Sequence, residues 1–556
     1  MSTLLGTTHV EIVEGDPRLG FPRWRTADQW QRTHRKLMVL LPFNVLAAIW
    51  YFEWLLRPER VGTPELYGLL VTAELFNLVQ ASGFWWTCRR GRTRGPAPEW
   101  TGSPPVVDVL IPVFTEPLDV VGPTVLAATR MTGAHVRVLL LDDAGRPELG
   151  DLAHSAGAEY VCRGHNRGAK AGNLNNALGL TTAPYVVIFD CDHLPDEAFL
   201  RRTLGWFQSD PAIAFVQTPQ YYANAGANRL AAAAWSQQAL FFGGIARGKD
   251  GMDAMFCCGT NVVFRRSALA EAGGFPEGSL TEDFELSLRL HERGYRSVYV
   301  NEVLARGLGP EDMASYVSQQ QRWARGCVAA IPLAIRATLS WRTRLQYLLS
   351  SMFFLSGWTF AIYMALPVVR IFAGLQPLAG ATAAQFLTHF APYFCLSLGA
   401  VAVAGAGIYT FDAFALMVAN FWVQILSSLF VVFRRSGRFV VTAKRGSAKA
   451  QPRTVVPSLV VMVLLVTSIC FAFAERWSAS TLNNAAFAAL HLSVLLAGTW
   501  TALVGVRKRR ERDSGRREER LPANDARSAP QPAGMVAPRA AAPQPAAVVA
   551  AAPEAP

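Results

Sequence analysis

Six stretches of this chain are apolar over about the length a helix needs to cross a bilayer, close to 20 residues. They fall at 37–56, 66–87, 347–372, 385–408, 455–474 and 485–506. The chain between them is of a different kind, so the sequence must build a membrane bundle around an inserted polar domain. Composition agrees. Only 17% of residues are charged, against about 25% in a soluble domain. The N-terminal segment 1–36 has no basic region ahead of an apolar core, so it is not a signal peptide. The first apolar run is a retained helix.

The location of charge sets the expected topology. The formal net charge is +12. Residues 434–454 hold Arg434, Arg435, Arg438, Lys444, Arg445, Lys449 and Arg453 and no acid, and the tail after Arg507 is also basic. Both clusters abut apolar runs. They therefore read as positive-inside signals, and a nucleic-acid partner is not expected. A further apolar run, 411–433, is long enough to span. If it crossed, both basic segments would lie outside. The expectation is therefore six spans and one interfacial helix, with the polar domain cytoplasmic and the chain in the plasma (inner) membrane of the cell. The implied organisation is a cytoplasmic segment 1–36, two spans within 37–94, a catalytic domain 95–340 and two spans within 341–408. An interfacial helix with its loop (409–454), two spans within 455–506 and a basic, then Ala/Pro-rich tail 507–556 complete it. The eight Cys show no CxxC pair and no Cys/His zinc spacing, which argues against a disulfide framework or a zinc site.

Residues 106–340 alternate apolar strands with helical stretches, the pattern of a parallel sheet covered on both faces. Strands end in acids: Asp142 and Asp143 after one, Asp190 and Asp192 after another, with Glu116 after the first. Open α/β sheets bind ligands at the carboxyl ends of their strands, although a strand-end Asp also caps helices. Asp190 and Asp192 are two hard oxygen ligands suited to Mg²⁺ or Mn²⁺ on a diphosphate, with His193 a further ligand or a plain loop residue. Lys170 sits where a helix begins. There it opposes the helix dipole unless an anion lies near. Glu282 fits a capping box with Ser279, and Asp283 either favours the dipole of the same helix or acts as a general base. Gln319, Arg322 and Trp323 combine a phosphate fork with a flat face for a sugar ring. An Arg-Trp pair ahead of a span is also a common interfacial anchor.

In order along the chain, DVLIPVFTEP, LLDDAGRPEL, AKAGNLNNAL, FDCDH, FCCGTN, LTEDFE, QQQRWARG and FVVTAK resemble the processive membrane glycosyltransferases of family 2, specifically bacterial cellulose synthase catalytic subunits. The resemblance implies an α/β GT-A glycosyltransferase domain inserted between transmembrane α-helices in a multi-pass membrane protein. It implies an inverting β-glycosyltransferase that polymerises a UDP-sugar, UDP-glucose into a β-1,4-glucan first of all, and passes the chain across the membrane. Asp143 would touch the nucleotide, with Glu116, Lys170 and Glu282 beside the substrate. Asp190, Asp192 and His193 would hold the divalent metal, and Asp283 would be the base. Gln319, Arg322 and Trp323 would serve acceptor and diphosphate. Phe439, Thr442 and Lys444 would belong to a gating loop. The partners implied are the UDP-sugar donor, the growing polysaccharide acceptor, the lipid bilayer and an accessory periplasmic or membrane subunit.

The sequence departs from the family pattern at Thr115, at Ala144 and in FCCGTN. The tail has no room for a PilZ domain, so this chain is not expected to bind cyclic di-GMP by itself. A β-1,3- or mixed-linkage glucan synthase, a UDP-N-acetylglucosamine polymerase and a non-catalytic transport subunit are the alternatives. The spans carry few ionisable residues, Glu74 and His491 the clearest, which argues against transport alone.

The charge and motif arguments meet in the loop 434–454. A cysteine placed at Ser447, in a background free of other exposed cysteines, is expected to resist impermeant thiol reagents added to intact cells. Labelling from outside would put 411–433 across the bilayer and remove the gating-loop reading.

Overall fold

Parallel strands buried on both faces need near-continuous apolar runs, and this sequence supplies them. The structure, a computed structural model, describes residues 24–435, 447, 449–475 and 478–505. Among the described residues ten strands are formed: β1 (Val106–Val113), β2 (His135–Asp142), β3 (Glu159–Cys162), β4 (Tyr185–Ile188), β5 (Leu194–Pro195), β6 (Ile213–Gln217), β7 (Tyr221–Tyr222), β8 (Val262–Arg265), β9 (Arg296–Tyr299) and β10 (Ala305–Gly307). The main sheet has seven strands in the order β3-β2-β1-β4-β8-β6-β9, and β5-β10-β7 form a small second sheet. Side chains alternate across β1. Val107, Val109 and Ile111 enter the core on one face, and Leu110 enters the core on the other with Leu139 and Leu141 of β2, as a period of two requires.

The sheet is mixed, not parallel as the alternation implied. β8 runs antiparallel to both β4 and β6. The reason lies in the segment before it. Asp253, Gly259 and Asn261 all have positive φ and turn the chain so that it enters the sheet from the carboxyl edge of β4. The reversal places Gly259–Asn261 beside Asp190: the Thr260 hydroxyl accepts a hydrogen bond from the Asp190 N–H at 2.8 Å. The stretch after Asp196 is a run of turns ending in the short helix Gly205–Ser209.

Among the described residues, five helices are long and apolar enough to cross a membrane: Ala27–Leu55, Trp341–Ala373, Ala383–Ala404, Pro452–Ala474 and Ser480–Val504. The second expected run forms the helix Pro64–Arg89. At 26 residues it is long enough, about 39 Å, but Glu65, Glu74, Asn77 and Gln80 make it less apolar than the other five. The run 411–433 is not one helix. It forms Phe411–Ala419 and Phe421–Val432, bent by 43°. Asn420 makes the break. Its side-chain amide donates to the Leu416 carbonyl at 2.8 Å, diverting an acceptor from the helical ladder. Neither half reaches spanning length alone; taken as one broken span, the pair makes a sixth.

The α/β domain and the long helices are tied by buried charge. Asp250 is fully buried. It accepts three bonds from Arg94, at 2.8–3.0 Å, and one from the Tyr299 N–H. Arg94 lies just beyond the helix Pro64–Arg89, so this pair joins that helix to β9. Removing one partner of such a pair leaves an uncompensated buried charge and costs about 3–5 kcal/mol.

Candidate active site

Asp190, Asp192 and His193 follow β4 where it leaves the sheet. Phe189 and Cys191 still pack in the core there, while Asp190, Asp192 and His193 line a cavity of about 480 Å³. One ligand atom from each of the three residues lies within 4.8 Å of the others. Asp192 and His193 are 1% and 4% exposed. His193 Nδ1 is 3.4 Å from Asp192 Oδ1, and Nε2 is buried with no hydrogen-bond partner. Two carboxylates and an imidazole in this grouping fit Mg²⁺ or Mn²⁺.

The same cavity is lined by Glu116, Asp143, Lys170, Glu282, Asp283, Gln319, Arg322 and Trp323. Every candidate residue among the described residues is therefore in one place, although they are separated by up to 207 positions in the chain. Phe439, Thr442 and Lys444 lie outside the described residues. Five elements carry these residues. β1 and β2 bring Glu116 and Asp143 to the sheet edge. The helix Ala169–Leu180 brings Lys170, the helix Glu282–Glu292 brings Glu282 and Asp283, and the helix Met313–Ala329 brings Gln319, Arg322 and Trp323.

The structure separates roles that the sequence left open. Asp142 is structural: it accepts from Ala144 N, Arg146 N and the Tyr160 hydroxyl. Asp143 instead faces the cavity, held by Arg163 through two contacts of 2.5 and 2.8 Å. The pair is nearly buried, at 6% and 5% side-chain exposure. The capping box is not formed. Thr281 is the N-cap and its side chain makes no cap bond, and Ser279 Oγ accepts from Thr281 N instead. Glu282 is thus free of a capping duty and lines the cavity at 8% exposure.

Lys170 explains its unfavourable place on the helix by its partners. Its Nζ lies 2.5 Å from Asp190 Oδ1 and 2.8 Å from the Gly259 carbonyl. Burial works against its charge, but Asp190 and Glu282 outweigh it and hold the Lys170 pKa above its ordinary value. The anion expected near this helix start is the protein's own carboxylate. Asp283 is pushed up to about 7, first by burial and then by the charge of Glu282, while Lys170 and Arg322 pull the other way. A carboxylate poised near neutral pH suits general-base work.

Arg163 and Gly259 were not legible as site residues. Arg163 sits in a polar loop and carries no motif signal of its own. Gly259 belongs to FCCGTN, and its φ of +82° was the missing information.

Residues 185–431 match the model of glycosyl transferase family group 2. The chain is 33% identical over 451 residues to cellulose synthase 2 of Novacetimonas hansenii, covering 77% of this chain and 28% of that protein. It is 32% identical over 439 residues to the cellulose synthase 1 catalytic subunit (UDP-forming) of Komagataeibacter xylinus, covering 75% and 58%. It is 30% identical over 387 residues to the cellulose synthase catalytic subunit (UDP-forming) of Pseudomonas fluorescens (strain SBW25), covering 64% and 50%. The chain thus spans between 28% and 58% of the length of these relatives.

Gly259 gives the sharpest test of the geometry. A Cβ there would lie 2.9 Å from Asp283 Oδ2 and 3.6 Å from Lys170 Nζ, on a backbone that side chains rarely adopt. Gly259→Ala is expected to lower sugar transfer by at least about tenfold through displacement of Asp283, while the protein still purifies folded. Wild-type turnover by this variant would show that Asp283 need not sit where the structure has it.

Proposed function

From the premise that this chain is a family 2 glycosyltransferase, we propose that it is a processive, inverting one. In this reading it polymerises UDP-glucose into a β-1,4-glucan and passes the product across the membrane. One observation carries the reading. All eleven candidate residues within the described residues line a single cavity at the carboxyl edge of the sheet, and the chain resembles UDP-forming cellulose synthase catalytic subunits.

Asp143, held rigid by Arg163, receives the nucleotide. Glu116 stands beside it, with its side chain held by the Phe114 N–H at 2.8 Å. Lys170 and Arg322 face the diphosphate with complementary charge. Asp190, Asp192 and His193 are the residues that would hold the divalent metal, which when bound offsets negative charge on the departing UDP. Asp283 takes the proton of the acceptor hydroxyl as that oxygen attacks the anomeric carbon from the face opposite UDP. Inversion of an α-linked donor yields a β-link. Trp323 offers an indole face on which the terminal sugar ring stacks while its hydroxyls stay hydrogen-bonded, and Gln319, one turn earlier on the same helix, offers an amide to those hydroxyls.

The bundle follows directly. The helix carrying Trp323 runs toward Trp341–Ala373, and its Arg325 guanidinium lies 5.0 Å from the Phe430 ring of the bent pair. In this reading the acceptor site opens onto the membrane helices, the catalytic domain is cytoplasmic, and the polymer leaves through the bundle. An accessory subunit on the outer side would receive it.

Membranes or purified protein incubated with labelled UDP-sugars and Mg²⁺ are expected to make a polymer that β-1,4-specific glucanases degrade. Asp283→Asn keeps the shape and loses the base. It is expected to cut synthesis by about 10²–10⁴-fold while UDP binding survives. Near-normal synthesis by this variant would remove Asp283 as base, and resistance of the polymer to β-1,4-glucanase would move the linkage to β-1,3 or mixed.

A further inference from the structure

Lys170 occupies an awkward position for an ordinary substrate-binding lysine. The helix Ala169–Leu180 begins one residue before it. Its N-cap is Gly168 in the left-handed region, with no side-chain cap. A cation in the first turn opposes the dipole. Glu277 lies beside Gly168, but Lys170 turns inward instead, where its side chain is 15% exposed. There its ammonium bridges Asp190 Oδ1 and the Gly259 carbonyl. Asp190 is also one of the three grouped metal ligands. The ammonium and a divalent cation therefore compete for one carboxylate.

We infer that Lys170 is the resting counter-ion of the metal site, and that it keeps the divalent cation from binding until a nucleotide diphosphate enters with it. The inference rests on the metal and nucleotide reading above. Without nucleotide, Lys170 already compensates Asp190, and a metal ion placed there meets an adjacent positive charge. A diphosphate supplies anionic oxygens for both cations. The ammonium then turns from Asp190 to the phosphate, and the freed carboxylate joins Asp192 and His193. Metal and nucleotide thereby raise each other's affinity by the same factor, as linkage requires. The device also keeps the acid cluster from filling with metal in a form that cannot accept substrate.

The readout is Mn²⁺ bound to the purified full-length protein, measured by electron paramagnetic resonance with and without UDP, so that no turnover is involved. Wild type is expected to bind Mn²⁺ weakly alone. Lys170→Met removes the charge at similar length, and Lys170→Gln retains a donor for the Gly259 carbonyl if the first variant folds poorly. Either is expected to raise nucleotide-free Mn²⁺ affinity by about tenfold and to shrink the effect of UDP. Lys170→Arg keeps the charge and is expected to stay close to wild type.

Unchanged or weaker nucleotide-free Mn²⁺ binding in a neutral variant with wild-type thermal unfolding would overturn the inference. So would wild-type protein that binds Mn²⁺ as tightly without UDP as with it. Asp192→Ala separates this from failure of the site reading. If that variant binds Mn²⁺ with UDP as tightly as wild type, the ligand set is wrong; if its binding is lost while Lys170→Met changes nothing, only the role of Lys170 is.

Discussion

Six carboxylates line one cavity, and the fold has to keep them from repelling one another. Asp190, Asp192, Glu282 and Asp283 come from two elements, and Lys170 and Arg322 from two more. Burial first, and then the like charge of Glu282, disfavour ionisation and push Asp283 up to about 7. The Lys170 ammonium is the central compensation. It touches Asp190 directly, and its charge also acts on Asp283. The reversal of β8 is what makes this possible, because it carries the Gly259 carbonyl to Lys170 and the Thr260 hydroxyl to the Asp190 N–H. A fully parallel sheet would have brought a strand's carboxyl end there instead.

The membrane helices depend on the same site through one element. The helix Met313–Ala329 starts at Asp312, whose Oδ1 caps Ser315 N and whose Oδ2 accepts from Ser447 N. Arg322 and Trp323 occupy its middle. Near its end Arg325 donates to the Arg435 carbonyl. Both flanks of the segment 436–446 are therefore pinned to the helix that carries Gln319, Arg322 and Trp323.

Much of this was legible because it depends on local chemistry. Apolar strands that end in acids read plainly, and so did the spacing of Asp190 and Asp192. Eight weak motifs in one order pointed to a single family. The rest depends on contacts between distant residues. The direction of β8 is set by backbone φ values that composition does not encode. Arg163 matters only because folding brings it to Asp143, 20 positions away. Glu282 has the spacing of a capping box, yet tertiary packing turns it to the cavity. The break at Asn420 looked like any polar residue in an apolar run. The gating-loop residues Phe439, Thr442 and Lys444 rest on resemblance and on the charge of their loop alone.

The central claim is that a buried carboxylate, Asp283, does the proton transfer in a sugar polymerisation. The most direct measurement is the pH dependence of the initial rate of polymer synthesis at saturating UDP-sugar and metal. A raised base is ionised, and competent, above its pKa and is lost as pH falls through it. The account therefore predicts an acid limb at or somewhat below pH 7, since a bound divalent cation lowers the value, and well above the ordinary carboxylate range near 4. Below that limb the rate should fall about tenfold per pH unit. A rate that stays flat down to about pH 4.5, in protein that remains folded there, would contradict it.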